Sequence, residues 1–104
     1  MDELGDREGV ANALSRLAIL ATSQGDRDRA EQFTIERLSL VRQIADLDKE
    51  ADALRELGDI ALAKDDHDRA EELYQNSVEI YQFITCQFYS SYILIFSEQS
   101  TFSQ

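Results

Sequence analysis

An all-α fold of stacked helical hairpins is predicted for this chain, on three observations. The first is an internal repeat: Ala11, Ala13, Leu14, Leu17, Ala21, Asp26, Asp28, Arg29, Ala30, Glu31 and Ile44 recur as Ala51, Ala53, Leu54, Leu57, Ala61, Asp66, Asp68, Arg69, Ala70, Glu71 and Ile84. These are 11 identities over 34 compared positions, where ordinary composition gives roughly two or three by chance. The second is apolar residues at helical spacing inside both copies. The third is the absence of proline, with only 4 glycines in 104 residues, so little interrupts a helix. A repeat of this length marks a solenoid, which presents an extended surface rather than a catalytic pocket.

Each element follows from its own pattern. Residues 8–24 read as a first helix, because Val10, Leu14, Leu17 and Ala21 recur at steps of four, three and four. Gly25 ends it, since glycine takes the left-handed conformation without strain. Asp26 and Asp28 are candidate N-caps for the second helix, and Asp28 with Glu31 has capping-box-like spacing. That helix runs to about Ala45 with Ala30, Phe33, Leu38, Val41 and Ile44 inward. The third covers about Lys49 to Lys64 on Ala51, Leu54, Leu57, Gly58 and Ala61. Asp65–Asp68 make the next turn and cap, Asp68 and Glu71 repeating the capping spacing. The fourth begins near His67 and turns Ala70, Leu73, Tyr74, Ser77, Ile80 and Tyr81 inward. Short links between successive helices imply antiparallel hairpins. The organisation read from this is an opening linker over 1–9, repeats over 10–46 and 47–84, and an atypical segment over 85–104.

Charge divides the chain. Twenty of its 21 acidic residues and all 10 basic ones precede Ile80, and the net charge is −11. An acidic surface disfavours nucleic acid, whose binding needs clustered Lys and Arg, and makes a basic peptide or protein patch the easier partner. Cys86 is the single cysteine, so no internal disulfide forms. The acidic start, Met1-Asp2-Glu3-Leu4-Gly5-Asp6, lacks the basic and apolar regions of a signal peptide. Together these give a cytoplasmic reading.

Residues 80–97 carry no charge and are rich in aromatic residues, Ile, Ser and Gln. A third repeat would place Leu and a small residue where Ser97 and Glu98 stand, so the pattern stops. Three readings stay open for the segment. It is a capping helix on Ile84, Phe88, Tyr92 and Ile95, or a membrane contact weakened by its polar residues, or sequence foreign to the repeat. Its aromatic surface over 83–96 would drive self-association if unpacked.

The double pattern resembles tetratricopeptide repeats, in a long-linker form with a period of about forty residues rather than about 34. The resemblance rests on Leu14, Leu17, Ala18, Ala21 and Ala30, matched by Leu54, Leu57, Gly58, Ala61, Ala70 and the aromatic Tyr74. It implies antiparallel hairpins stacked as a short right-handed solenoid, with Leu14, Leu17, Ala18, Ala30, Leu54, Leu57, Gly58, Ala70 and Tyr74 packing the repeats. Thr34 and Arg37 depart from it, standing where an aromatic and a small residue are expected. The stretch from Leu4 to Gly9 resembles the linker that follows a repeat, which reads as the tail of an earlier unit in a longer array.

The resemblance also implies a concave groove lined by the first helix of each hairpin. Its exposed positions are Asn12, Ser15, Arg16, Ile19 and Ser23, then Asp52, Arg55, Glu56, Asp59 and Ala63. Asn12, Arg16, Ile19, Arg55 and Asp59 are the candidate peptide contacts. The basic clamp by which cochaperone members hold a terminal carboxylate is missing, since Ser15–Ile19 and Arg55–Asp59 stand in its place.

No catalytic residue, cofactor site or metal site is predicted. His67 sits among three aspartates, but neighbours at a helix start serve capping better than convergence on one ion. Cys86 has no base in reach of the kind a nucleophile needs, and there is no Gly-rich phosphate loop or nucleophile elbow. The function expected is a non-enzymatic protein–protein interaction scaffold. The alternatives are a sensor or regulatory segment of a larger signalling or transcription protein, and a truncated fragment without a function of its own.

Overall fold

The computed structural model describes residues 3–102, with side chains described for 5–90. Four helices follow one another: α1 (Glu3–Ser23), α2 (Arg27–Ile44), α3 (Leu47–Ala63) and α4 (His67–Phe102). Backbone packing among the described residues runs between sequence neighbours, α1 on α2, α2 on α3 and α3 on α4, which is the nearest-neighbour order of a solenoid.

The three turns share one construction. Gly25, Ala45 and Asp65 adopt positive φ of 77°, 62° and 65°. After each comes an aspartate whose N–H donates back to the carbonyl of Ala21, Val41 or Ala61, closing a Schellman turn that satisfies the last carbonyls of the helix. The same aspartate caps the next helix. Asp26, Asp46 and Asp66 accept from the backbone N–H of Arg29, Lys49 and Arg69 at 3.1, 3.2 and 3.3 Å. One residue thus ends one helix and begins another, which keeps each link to two or three residues and makes the neighbours antiparallel.

Asp26 caps as expected, whereas Asp28 and Asp68 are the second residues of their helices, in the first turn, and neither caps. The third residue after each cap is Arg29 or Arg69 rather than Glu, so no capping box forms. The links are two or three residues long between helices α1, α2 and α3 of 21, 18 and 17 residues, so no long linker separates them. The uncharged segment is not a separate helix either, because α4 continues unbroken through it to Phe102. The side chains of 91–96, including Tyr92 and Ile95, lie outside the described residues.

The core forms where small residues let helices approach. Ala11, Leu38, Val41, Ala53, Leu54, Leu57, Ala61, Ala70 and Leu73 make one buried cluster. Gly58 faces Tyr74 so closely that a Cβ would stand 2.7 Å from the ring. Ser77 donates to the Ala51 carbonyl at 2.7 Å, tying α4 to α3, and Thr34 donates to the Ala30 carbonyl within α2. No buried side-chain polar atom among the described residues lacks a partner.

The helices differ from expectation on one flank of α1 and one of α4. Val10 is 51% exposed, Leu17 43% and Tyr81 37%, although all three were expected inward. Leu17 therefore does not pack between the repeats. Its counterpart Leu57 is 3% exposed because α2 lies against α3; no helix lies against that flank of α1 among the described residues.

Candidate functional site

An open cleft of about 600 Å³ lies between α1 and α3, with α2 as its floor. Ala18, Ile19, Thr22 and Ser23 form one wall, and Glu56, Asp59, Ile60 and Ala63 the other. Ala30 and Thr34 are buried in the floor, and their small side chains leave the depth that a larger residue would fill. The walls stand apart because α1 and α3 each pack on α2, and Lys49 of α3 reaches across to Glu8 of α1 at 3.4 Å.

Ion pairs fix the second wall against the floor. Arg37 of α2 donates to Glu56 at 2.8 Å and to Asp52 at 3.2 Å. Its side chain is 8% exposed, so these charge-assisted bonds act in a partly desolvated setting where they are strong. Burial pushes Glu56 above the ordinary carboxylate range, against the pull of Arg37. Burial also pushes Asp52 upward, but hydrogen bonds from Arg55 and Arg37 outweigh it and hold that carboxyl low. At the rim, Arg27 donates to the Ala63 carbonyl at 3.1 Å. Lys64 meets Asp28 at 2.8 Å and Glu31 at 3.3 Å, and its hydrogen bond with Asp28 raises the lysine.

The candidate contacts divide by position. Ile19 and Asp59 line the cleft, and Ser23, Glu56 and Ala63 line it with them. Ile19 is exposed and so offers an apolar contact. Asp59 accepts from the Tyr74 hydroxyl in a very short bond, which raises the tyrosine. Arg55 is exposed and spans Asp52 at 2.7 Å and Asp59 at 3.4 Å, outside the cleft lining. Asn12 and Arg16 are exposed nearer the start of α1 and do not line it either. Of the packing set, Leu14, Ala18, Ala30, Leu54, Leu57, Gly58 and Ala70 are buried and Tyr74 is half-buried against Gly58.

Sequence reasoning missed Thr34, which lines the cleft, and Arg37, which braces its α3 wall, reading both as departures from a pattern. The signal was available in composition: a threonine bonds its own helix and buries cheaply, and Arg37 has Asp52 and Glu56, one turn apart, opposite it.

No helix among the described residues is long and apolar enough to cross a membrane. No curated protein and no solved structure matches the chain. The tetratricopeptide repeat profile matches residues 9–82, which takes in α2 and α3 whole, most of α1 and the first part of α4. Helical hairpins joined by tight turns, small residues at the crossings and a cleft between first helices are what such repeats build, and the chain belongs to the tetratricopeptide repeat family.

Proposed function

We propose that the chain is a protein-binding scaffold whose α1–α3 cleft takes an extended peptide or a helix from its partner. Tetratricopeptide repeats serve generally as protein–protein interaction scaffolds, and the observation that carries the finer reading is the cleft itself. It has a floor of small residues, Ala30 and Thr34, and an exposed Ile19 on one wall, with Glu56 and Asp59 on the other. An apolar anchor residue with a cation one turn away is the ligand chemistry such a lining suits. The net charge of −11 would steer a basic partner toward it. A cytoplasmic setting suits the lone Cys86, which is exposed and free.

The test is binding to a peptide library by the unmodified chain and by Ile19→Asp, Asn12→Ala, Arg16→Ala and Arg55→Ala. The expected result is a loss of about tenfold or more for Ile19→Asp, the scale of losing one apolar anchor. Smaller losses are expected at Arg55, which orients Asp59, and at Asn12 and Arg16 where a ligand runs on toward the start of α1. Ligands unaffected by all four substitutions would place binding elsewhere.

A further inference from the structure

We propose that copies of this chain associate head to tail, the free flank of α1 in one copy seating on the free flank of α4 in the next. The contact would repeat the α2–α3 junction already built inside the molecule.

The internal repeat supplies the template. Within α3, Ala53, Leu57 and Ile60 lie on the flank next to Asp52 and Glu56, which Arg37 of α2 reaches. The corresponding α1 residues are Ala13, Leu17 and Leu20. Leu57 is 3% exposed where α2 covers it, whereas Leu17 is 43% and Leu20 53% exposed. The other half of the junction behaves the same way. On α2, Leu38 is 7% and Val41 0% exposed; their counterparts on α4, Val78 and Tyr81, are 45% and 37% exposed. The molecule therefore carries, at opposite ends, the two unsatisfied halves of an interface that it satisfies once in its middle.

Charge permits the match. The internal junction pairs Arg37 with Asp52 and Glu56, Arg42 with Glu50, and Lys64 with Asp28 and Glu31. Between copies Gln82 comes opposite Val10 and Gln24 opposite Asp68 and Glu71, while Ser77, at the position of Arg37, stays buried on the Ala51 carbonyl and makes no contact with Asn12 or Arg16. No like charges meet at these positions, because each charged or apolar group faces a neutral glutamine. Such a contact is heterologous, so it propagates rather than closing at a dimer. It is separate from the cleft and does not depend on what the cleft binds.

The test is sedimentation of the whole chain over a wide concentration range, with Leu17→Asp, Val78→Asp and, as a control of equal charge on the outer face of α2, Ser39→Asp. Circular dichroism verifies that each is folded. The expected result is a mass that climbs past the dimer for the unmodified chain and for Ser39→Asp, and monomers for each flank variant alone. An equimolar mixture of Leu17→Asp and Val78→Asp should form a one-to-one pair and stop there, since each retains the flank the other has lost. Added salt should strengthen association, because it screens the repulsion of two chains of −11. A chain that stays monomeric, association that survives both flank variants, or a mixture that stays monomeric would overturn the proposal.

Discussion

Arg37 is a buried cation holding two helices together, and replacing it with methionine isolates that role. Methionine keeps most of the stem and its packing while deleting the guanidinium. Two charge-assisted bonds are lost, at 2.8 and 3.2 Å, each of a kind worth about 1.5–3 kcal/mol when well shielded. Their acceptors are not fully shielded: Glu56 and Asp52 side chains are 27% and 38% exposed, and Asp52 keeps Arg55 at 2.7 Å. Solvent screening on the acceptor side reduces the sum to about 2 kcal/mol, which for a domain of this size lowers Tm by about 8–16 °C. The assay is thermal and urea unfolding at a concentration low enough to keep the chain monomeric, arranged as a double-mutant cycle with Glu56→Gln. A coupling of about 1 kcal/mol is expected, because each single change removes the same contact. The deficit of Arg37→Met should also shrink on acidification. Without its cation Glu56 rises further above its unfolded value, and that penalty applies in full above the folded pKa and disappears as pH falls through it. A total loss under about 0.5 kcal/mol, or additive single changes, would refute the view that this arginine joins the repeats.

Five single substitutions test other parts of the fold. Gly58→Ala should lower stability by about 1 kcal/mol: the new methyl meets the Tyr74 ring at 2.7 Å, and the overpacking cost outweighs the helix-propensity gain; a stabilised variant in denaturant titration would contradict the close approach. Ala45→Gly should stabilise by about 0.5–1 kcal/mol, because the φ of 62° strains alanine and suits glycine, while Gly25→Ala at φ 77° should do the reverse. For pH, Asp52 lies below its ordinary value, so its contribution is present above the unfolded pKa and lost as pH falls through the folded one; Asp52→Asn should flatten the acid limb of a stability-versus-pH curve. Lys64, raised by Asp28, contributes below its unfolded pKa and loses that contribution as pH rises through the folded one, so Lys64→Met should flatten the alkaline limb.

Much of the fold is legible in the sequence because solenoids are built from local rules. Spacing of Ala51, Leu54, Leu57 and Ala61 marks a helix face whatever lies opposite, and glycine at position 25 signals a left-handed turn by itself. The central turn escapes such reading. Ala45 carries no signal for positive φ, and Asp46 becomes legible as a cap only once Asp26 and Asp66 are seen to do the same work. Leu17 illustrates a different limit: its chemistry matches that of Leu57, but burial belongs to the neighbour, and only Leu57 has α2 beside it. Of the candidate groove residues, Ile19 and Asp59 line the α1–α3 cleft. The buried Thr34 in its floor and the Arg37 that braces its α3 wall are not legible, because both read as polar until their partners are located in space.

The central claim is that the α1–α3 cleft holds the partner. It is tested most directly by recording backbone amide shifts of the isotope-labelled chain while a library of short basic peptides with one large apolar residue is titrated in. Binders should shift Ile19, Ser23, Glu56, Asp59 and Ala63 together and leave the outer positions Ser39 and Gln43 unmoved. Binders that shift the outer face instead, or no binder anywhere in the library, would contradict it.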